Sequence, residues 1–280
     1  MSALIVILES LFVKLAFTAG IIGLCGAFIS LANRCFYEYT GKFGNFVLRV
    51  TGLIGTPVHE LSHAFMCLLF GHKVHEIKMY NFKKKSKTLG YVSHSYVKRN
   101  LYQQMGNFFI GVSPILAGGL VVTGLVRLLT PSVYNGIMAC ISSFSAPHGV
   151  GIFTELEKLT VDIPTAIFGG GNVKNWLWWV CMALSLSVSV HMEISRSDIK
   201  GGLRGLAVIS VLLLVVDVVL GLLFPDALGV FTGAVVSFGL YFSAFLIIPM
   251  LFSAFVLVLS LIVKSIKMIG ESVSNDRKKD

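Results

Sequence analysis

Charge is what this sequence has least of. Only 13% of its 280 residues are Asp, Glu, Lys or Arg, against about 25% in a soluble domain. Hydrophobic residues make up 55%, and the mean hydropathy is +0.81. That balance excludes an ordinary soluble domain. It also excludes disorder, which needs low hydrophobicity and high charge. Paired cysteines are missing too. Cys25, Cys35, Cys67, Cys140 and Cys181 show no CxxC spacing, and four of them lie in or near apolar runs. They read as small packing residues, not as a disulfide frame or a thiolate zinc site. Gly169, Gly170 and Gly171 have no Lys-Ser/Thr after them, so they are not a P-loop. Internal repeats, low-complexity linkers and an appended soluble domain are all lacking, and one membrane domain over 1–280 is the simplest count.

What is present is apolar sequence in long runs, at 3–32, 46–70, 108–129, 176–195, 206–224 and 227–263. A helix needs about 20 apolar residues to cross a bilayer. The expected fold is therefore all-α and integral to the membrane, with about six transmembrane helices. The last run allows two helices, or one long helix kinked at Pro249. No positive charge precedes the first run and no small-residue cleavage site ends it, so it is expected to be a retained helix.

The excess of positive charge, +9 in all, bears on the count. Residues 72–99 carry eight Lys or Arg, 193–204 carry three, and the tail 264–280 carries five. Cytoplasmic loops collect such residues. Placing the three segments on one side requires the last run to cross once, which gives six spans with both termini cytoplasmic. The Lys83–Lys85 and Lys87 cluster is then a solvated hairpin tip or a lipid-headgroup contact, and nucleic acid is not an expected partner.

The second run contains His59-Glu60-Leu-Ser-His63. On a helix the two histidines are one turn apart on one face and reach a single metal ion. Glu60 stands about 100° round the helix, where it can face a water held by that ion. Ionisable groups inside a span are costly and usually functional. A zinc hydrolase needs a third protein ligand and an open fourth position. By depth, the candidates are Asp198, Asp217 and Glu193. His191, seven residues before Asp198, would share its face on a regular helix. It could orient Asp198, stabilise an oxyanion, replace Asp198 as ligand, or be a hydrogen-bonded interhelical histidine.

The HExxH turn in an early span, followed two spans later by Ser197-Asp198-Ile-Lys-Gly201, resembles the site-2 protease family of intramembrane zinc metalloproteases. That family takes its third ligand from an Asp in an L-D-G motif. Here the Asp matches, and its neighbours do not. Gly111-Val-Ser-Pro114-Ile-Leu-Ala-Gly118 is loosely similar to the family's glycine–proline segment. The resemblance covers about residues 44–203. It implies Zn²⁺ on His59, His63 and Asp198, with Glu60 as the catalytic base. It also implies cleavage of membrane-protein or membrane-associated peptide substrates in a cytoplasmic membrane, expected to be bacterial. The alternatives are a transporter or metal-ion carrier built on the same polar residues, and a catalytically inactive relative.

Two further segments complete the expectations. Residues 73–80 and 89–96 alternate or are rich in β-formers around a charged, turn-like stretch. They predict a membrane-associated β-hairpin over 72–99, able to hold a substrate extended by β-augmentation. His72, His75 and His94 there read as interfacial surface histidines rather than a second metal cluster. Residues 131–175, with Glu155, Glu157, Asp162 and the glycine run, predict a flexible loop. His148 carries no usable signal.

Overall fold

In a computed structural model of the chain, residues 3–82, 88–143 and 161–276 are described. The Lys83–Lys85 and Lys87 cluster, His148, Glu155 and Glu157 lie outside them. The described chain is helical except for one small sheet. Helix α1 (Ala3–Leu15) continues through a π-helical turn (Ala16–Gly20) into α2 (Ile21–Thr40). Helix α3 (Lys42–Leu69) carries the HExxH turn. Strands β1 (Lys73–Lys78) and β2 (Tyr91–Ser95) follow, then α4 (Leu101–Leu129). Next come α5 (Pro131–Ser143), α6 (Ile163–Phe168) and α7 (Trp176–Ser189). Helices α8 (Arg196–Leu223) and α9 (Pro225–Asp276) end the described chain.

Five helical stretches are long and apolar enough to cross a membrane: Ala3–Thr40, Leu101–Leu129, Arg196–Leu223, Pro225–Ser243 and Phe245–Ile269. The last two share the continuous helix α9, which holds Pro249 inside it. Helix α3 is not among the five, because Arg49 and the His-Glu-His turn dilute its apolar residues. The polarity of the bundle is inverted with respect to a soluble protein. On α1, Leu4, Leu8 and Phe12 are exposed while Ser10 and Lys14 are buried. An exterior of this kind suits lipid.

The direction of the helices shows how the fourth and fifth apolar runs are arranged. Along α4, Gly205 packs at Phe108, Asp198 at Gly111, Met192 at Gly118 and Cys181 at Thr130. The order is monotonic, so α7, residues 190–195 and α8 run one way along α4 without reversing. The fourth and fifth apolar runs are two halves of one broken traverse, not two antiparallel spans. Helix α1–α2 runs against them, with Ile7 at Gly221 and Gly26 at Ile194. Helix α9 runs parallel to α1–α2, with Thr232 at Ser10 and Lys264 at Tyr39. The described residues thus pass along the bundle five times, and Ala3 and Asp276 lie at opposite ends of it.

The break has a local cause. Ser195 is a helix N-cap: its Oγ accepts from the Asp198 amide, and the Asp198 carboxylate accepts from the Ser195 amide. This capping box starts a new helix at Arg196, so the run expected at 176–195 stops as helix at Ser189.

The 131–175 connection is also not a plain loop. Val133, Ile137, Ile163 and Ile167 bury one face of α5 and α6 in the core beside Trp178, and that burial holds the two helices in place. The hairpin forms as an antiparallel pair, with Lys78 opposite Tyr91 and Lys73 opposite Ser95, and with a bulge between Val74 and Glu76. It folds back along α3: the Tyr80 hydroxyl donates to the Arg49 carbonyl (2.8 Å), and Gly90 lies on Thr56 and Glu60.

Candidate metal centre

Helix α3 brings His59 and His63 together, with their Nε2 atoms 3.2 Å apart. Each ring is turned by a backbone carbonyl on its far side. His59 Nδ1 is 2.6 Å from the His191 carbonyl, and His63 Nδ1 is 2.8 Å from the Ile110 carbonyl. A carbonyl only accepts, so both Nδ1 atoms carry the proton and both Nε2 atoms present lone pairs. This is the outer-shell arrangement that fixes metal-ligating histidines.

Both carbonyls can accept because neither meets the amide of a residue four further on in its helix. Pro114 has no N–H to give to the Ile110 carbonyl four residues earlier. His191 lies just past the end of α7, where carbonyls lack intrahelical partners. Gly55 allows this approach, since a Cβ there would collide with the Ser187 carbonyl and the His191 ring.

Asp198 Oδ2 lies 3.8 Å from His63 Nε2 and also accepts from the Ser195 amide at 3.0 Å. His59, His63 and Asp198 together place three ligand atoms within 4.8 Å of one another. Two ligands about 2.0–2.1 Å from a tetrahedral zinc lie roughly 3.4 Å apart. The 3.2 Å and 3.8 Å separations bracket that value, so the residues fit such an ion with small side-chain adjustment.

Glu60 is buried beside them and lines the same cavity, about 370 Å³, with Thr56, Tyr91, Val92 and His191. Among the described residues, no Lys or Arg lines it. Comparison with known protein families, curated proteins and solved structures returned no match to this chain.

The rival ligands fall elsewhere. Asp217 is 19 residues along α8 from Asp198, about 28 Å away along the axis. It is paired with Lys14, and both side chains are fully buried. Glu193 lines the cavity but is outside the ligand cluster. His191 does not share a helix face with Asp198, because the helix is broken between them. Its ring Nδ1 is 3.0 Å from the Ser187 carbonyl, and its own carbonyl orients His59.

Three residues contribute to the site in ways that the sequence alone does not assign. Pro114 and Ser195 act through the backbone, as above, although Ser195-x-x-Asp198 is a legible capping signature. The third is Thr56, one turn before Glu60, whose buried hydroxyl has no hydrogen-bond partner among the described residues. In the hairpin, burial holds the His94 imidazole below its ordinary pKa, and His72 and His63 push the same way. His94 is therefore neutral near pH 7.

Proposed function

We propose that the protein is an intramembrane zinc-dependent endopeptidase acting on membrane-protein or membrane-associated peptide substrates. One observation carries the proposal. Two imidazoles with inward lone pairs, the Asp198 carboxylate and the Glu60 carboxyl meet in one cavity that β2 also lines. The resemblance to the site-2 protease family at His59-Glu60-x-x-His63 and Asp198 supports the same conclusion.

His59, His63 and Asp198 hold the ion. When bound, zinc supplies a Lewis acid for the scissile carbonyl and lowers the pKa of a water. Glu60 is the general base that takes the proton of the attacking water and returns it to the leaving amine. The cavity has room for several waters, which solves the supply of water to a site walled by apolar helices. Residues Tyr91 and Val92 of β2 line that cavity, so an extended substrate adds along this strand and presents its amide to Glu60. A helical substrate would keep that amide buried, which is why a strand is the useful neighbour.

The test uses purified full-length protein in detergent, with zinc measured by atomic absorption and cleavage followed on a labelled set of transmembrane peptides. His59→Ala and Asp198→Ala should each lower bound zinc by one equivalent. Glu60→Gln should keep the zinc and lower cleavage by about 10²–10⁴-fold. Zinc content unaffected by His59→Ala overturns the proposal. Zinc flux into proteoliposomes that survives Glu60→Gln assigns a carrier instead.

A further inference from the structure

We propose that Cys67, His72 and His94 form a second metal site, separate from the one at His59, which binds a thiophilic divalent cation such as zinc and staples the base of the hairpin to the end of α3. The cysteine is one helical turn beyond His63 on the same face of α3. The sulfur and the two ring nitrogens lie within 4.8 Å of one another.

The chain is folded to bring them there. Helix α3 ends with Gly71 at φ 67°, and the amides of Gly71 and His72 return to the carbonyls of Leu68 (3.1 Å) and Cys67 (2.8 Å). This is a Schellman closure, and it sets His72 back over Cys67. The hairpin then returns His94 to the same place, 3.1 Å from His72 between Nδ1 atoms.

His72 is oriented as a ligand. His72 Nε2 is 2.7 Å from the Gln103 carbonyl, an acceptor only, so His72 Nδ1 presents a lone pair toward His94. Tyr96 stacks on the His72 ring with centroids 5.0 Å apart and fixes its plane. Cys67 and His72 are buried. A thiolate and two imidazoles suit zinc, whose tetrahedral S···N separation is about 3.6 Å. Binding would draw the three atoms, now within 4.8 Å of one another, to that separation. Three protein donors leave one position for water, so the ion should exchange with chelators more readily than in a four-ligand site.

The physical need is plain. A two-stranded hairpin alone is at best marginally stable, yet this one must hold Gly90 and Tyr91 against the Glu60 cavity. Cross-linking its base to α3 supplies the missing constraint.

Cobalt distinguishes the two sites, because only this one contains sulfur. The metal-free protein, kept reduced, is titrated with Co²⁺. Two equivalents should bind, with a thiolate-to-cobalt charge-transfer band in the near ultraviolet. Cys67→Ser and His72→Gln should each abolish the band and release one equivalent, while Cys181→Ser keeps both. His59→Ala should keep the band and lose the other equivalent. If His59→Ala loses nothing while the band behaves as stated, the zinc peptidase fails and this site stands. A wild type without the band, or a band that survives both Cys67→Ser and His72→Gln, overturns it.

Discussion

Two of the buried clusters of ionisable groups are balanced differently. In the first, Lys14 donates to Asp217, Ser10 donates to the same carboxylate at 3.3 Å, and the ammonium stands 4.4 Å from the centre of the Phe231 ring. One positive and one negative charge cancel, and every group has a partner. In the second, Glu60 and Asp198 face two imidazoles set as acceptors, and among the described residues no Lys or Arg lines the cavity. A buried charge needs a partner or a metal. The first cluster finds its partner within the chain; in the second the described residues supply no cation, and the proposed ion would be the partner.

The comparison can be broken at its strong end first. Lys14→Met leaves the Asp217 carboxylate unpaired and should cost about 3–5 kcal/mol of stability, most of which Lys14→Met combined with Asp217→Leu should restore. Reversible unfolding in mixed detergent micelles measures both. In the second cluster the same kind of change should behave oppositely. In chelator-treated protein, Asp198→Asn should leave stability unchanged or raise it, because it removes charge from a site that has too much of one sign. A large loss there would mean that the cluster is already balanced.

A smaller effect is expected from Pro114→Ala. It restores an amide that competes with His63 for the Ile110 carbonyl, and zinc affinity should fall about 10–100-fold in chelator competition. The smallest is Ser195→Ala. Loss of the cap should cost about 1 kcal/mol in unfolding and loosen the hold on Asp198, with a weaker drop in zinc affinity than Pro114→Ala gives.

The residues of the proposed centre were legible because HExxH is local: one helical turn sets the geometry of His59, Glu60 and His63. The hairpin was legible from alternation, and the apolar helices from their length. What escaped the sequence was long-range. Asp217 stands as a candidate ligand in the sequence because Lys14, its partner, lies 203 residues away. The reversal expected between 176–195 and 206–224 rested on loop charge, which carries no information about packing along α4. Helices α5 and α6 were missed because their apolar positions matter only against Trp178. Cys67 looked like a packing residue because the cap at Gly71 and the return of His94 are invisible in spacing alone.

The Lys14–Asp217 pair also bears on how the protein is made. Helix α1 is synthesised before α8, and in a bilayer an unpaired Lys within a span costs about 2.5–3.5 kcal/mol. Its counter-ion is synthesised 203 residues later, about 10–40 s at roughly 5–20 residues per second. Until then α1 is a poor guest in lipid, to be held at the interface or in a protein-lined chamber. The pair thus ties the stability of α1 in lipid to α8, a helix made much later in synthesis.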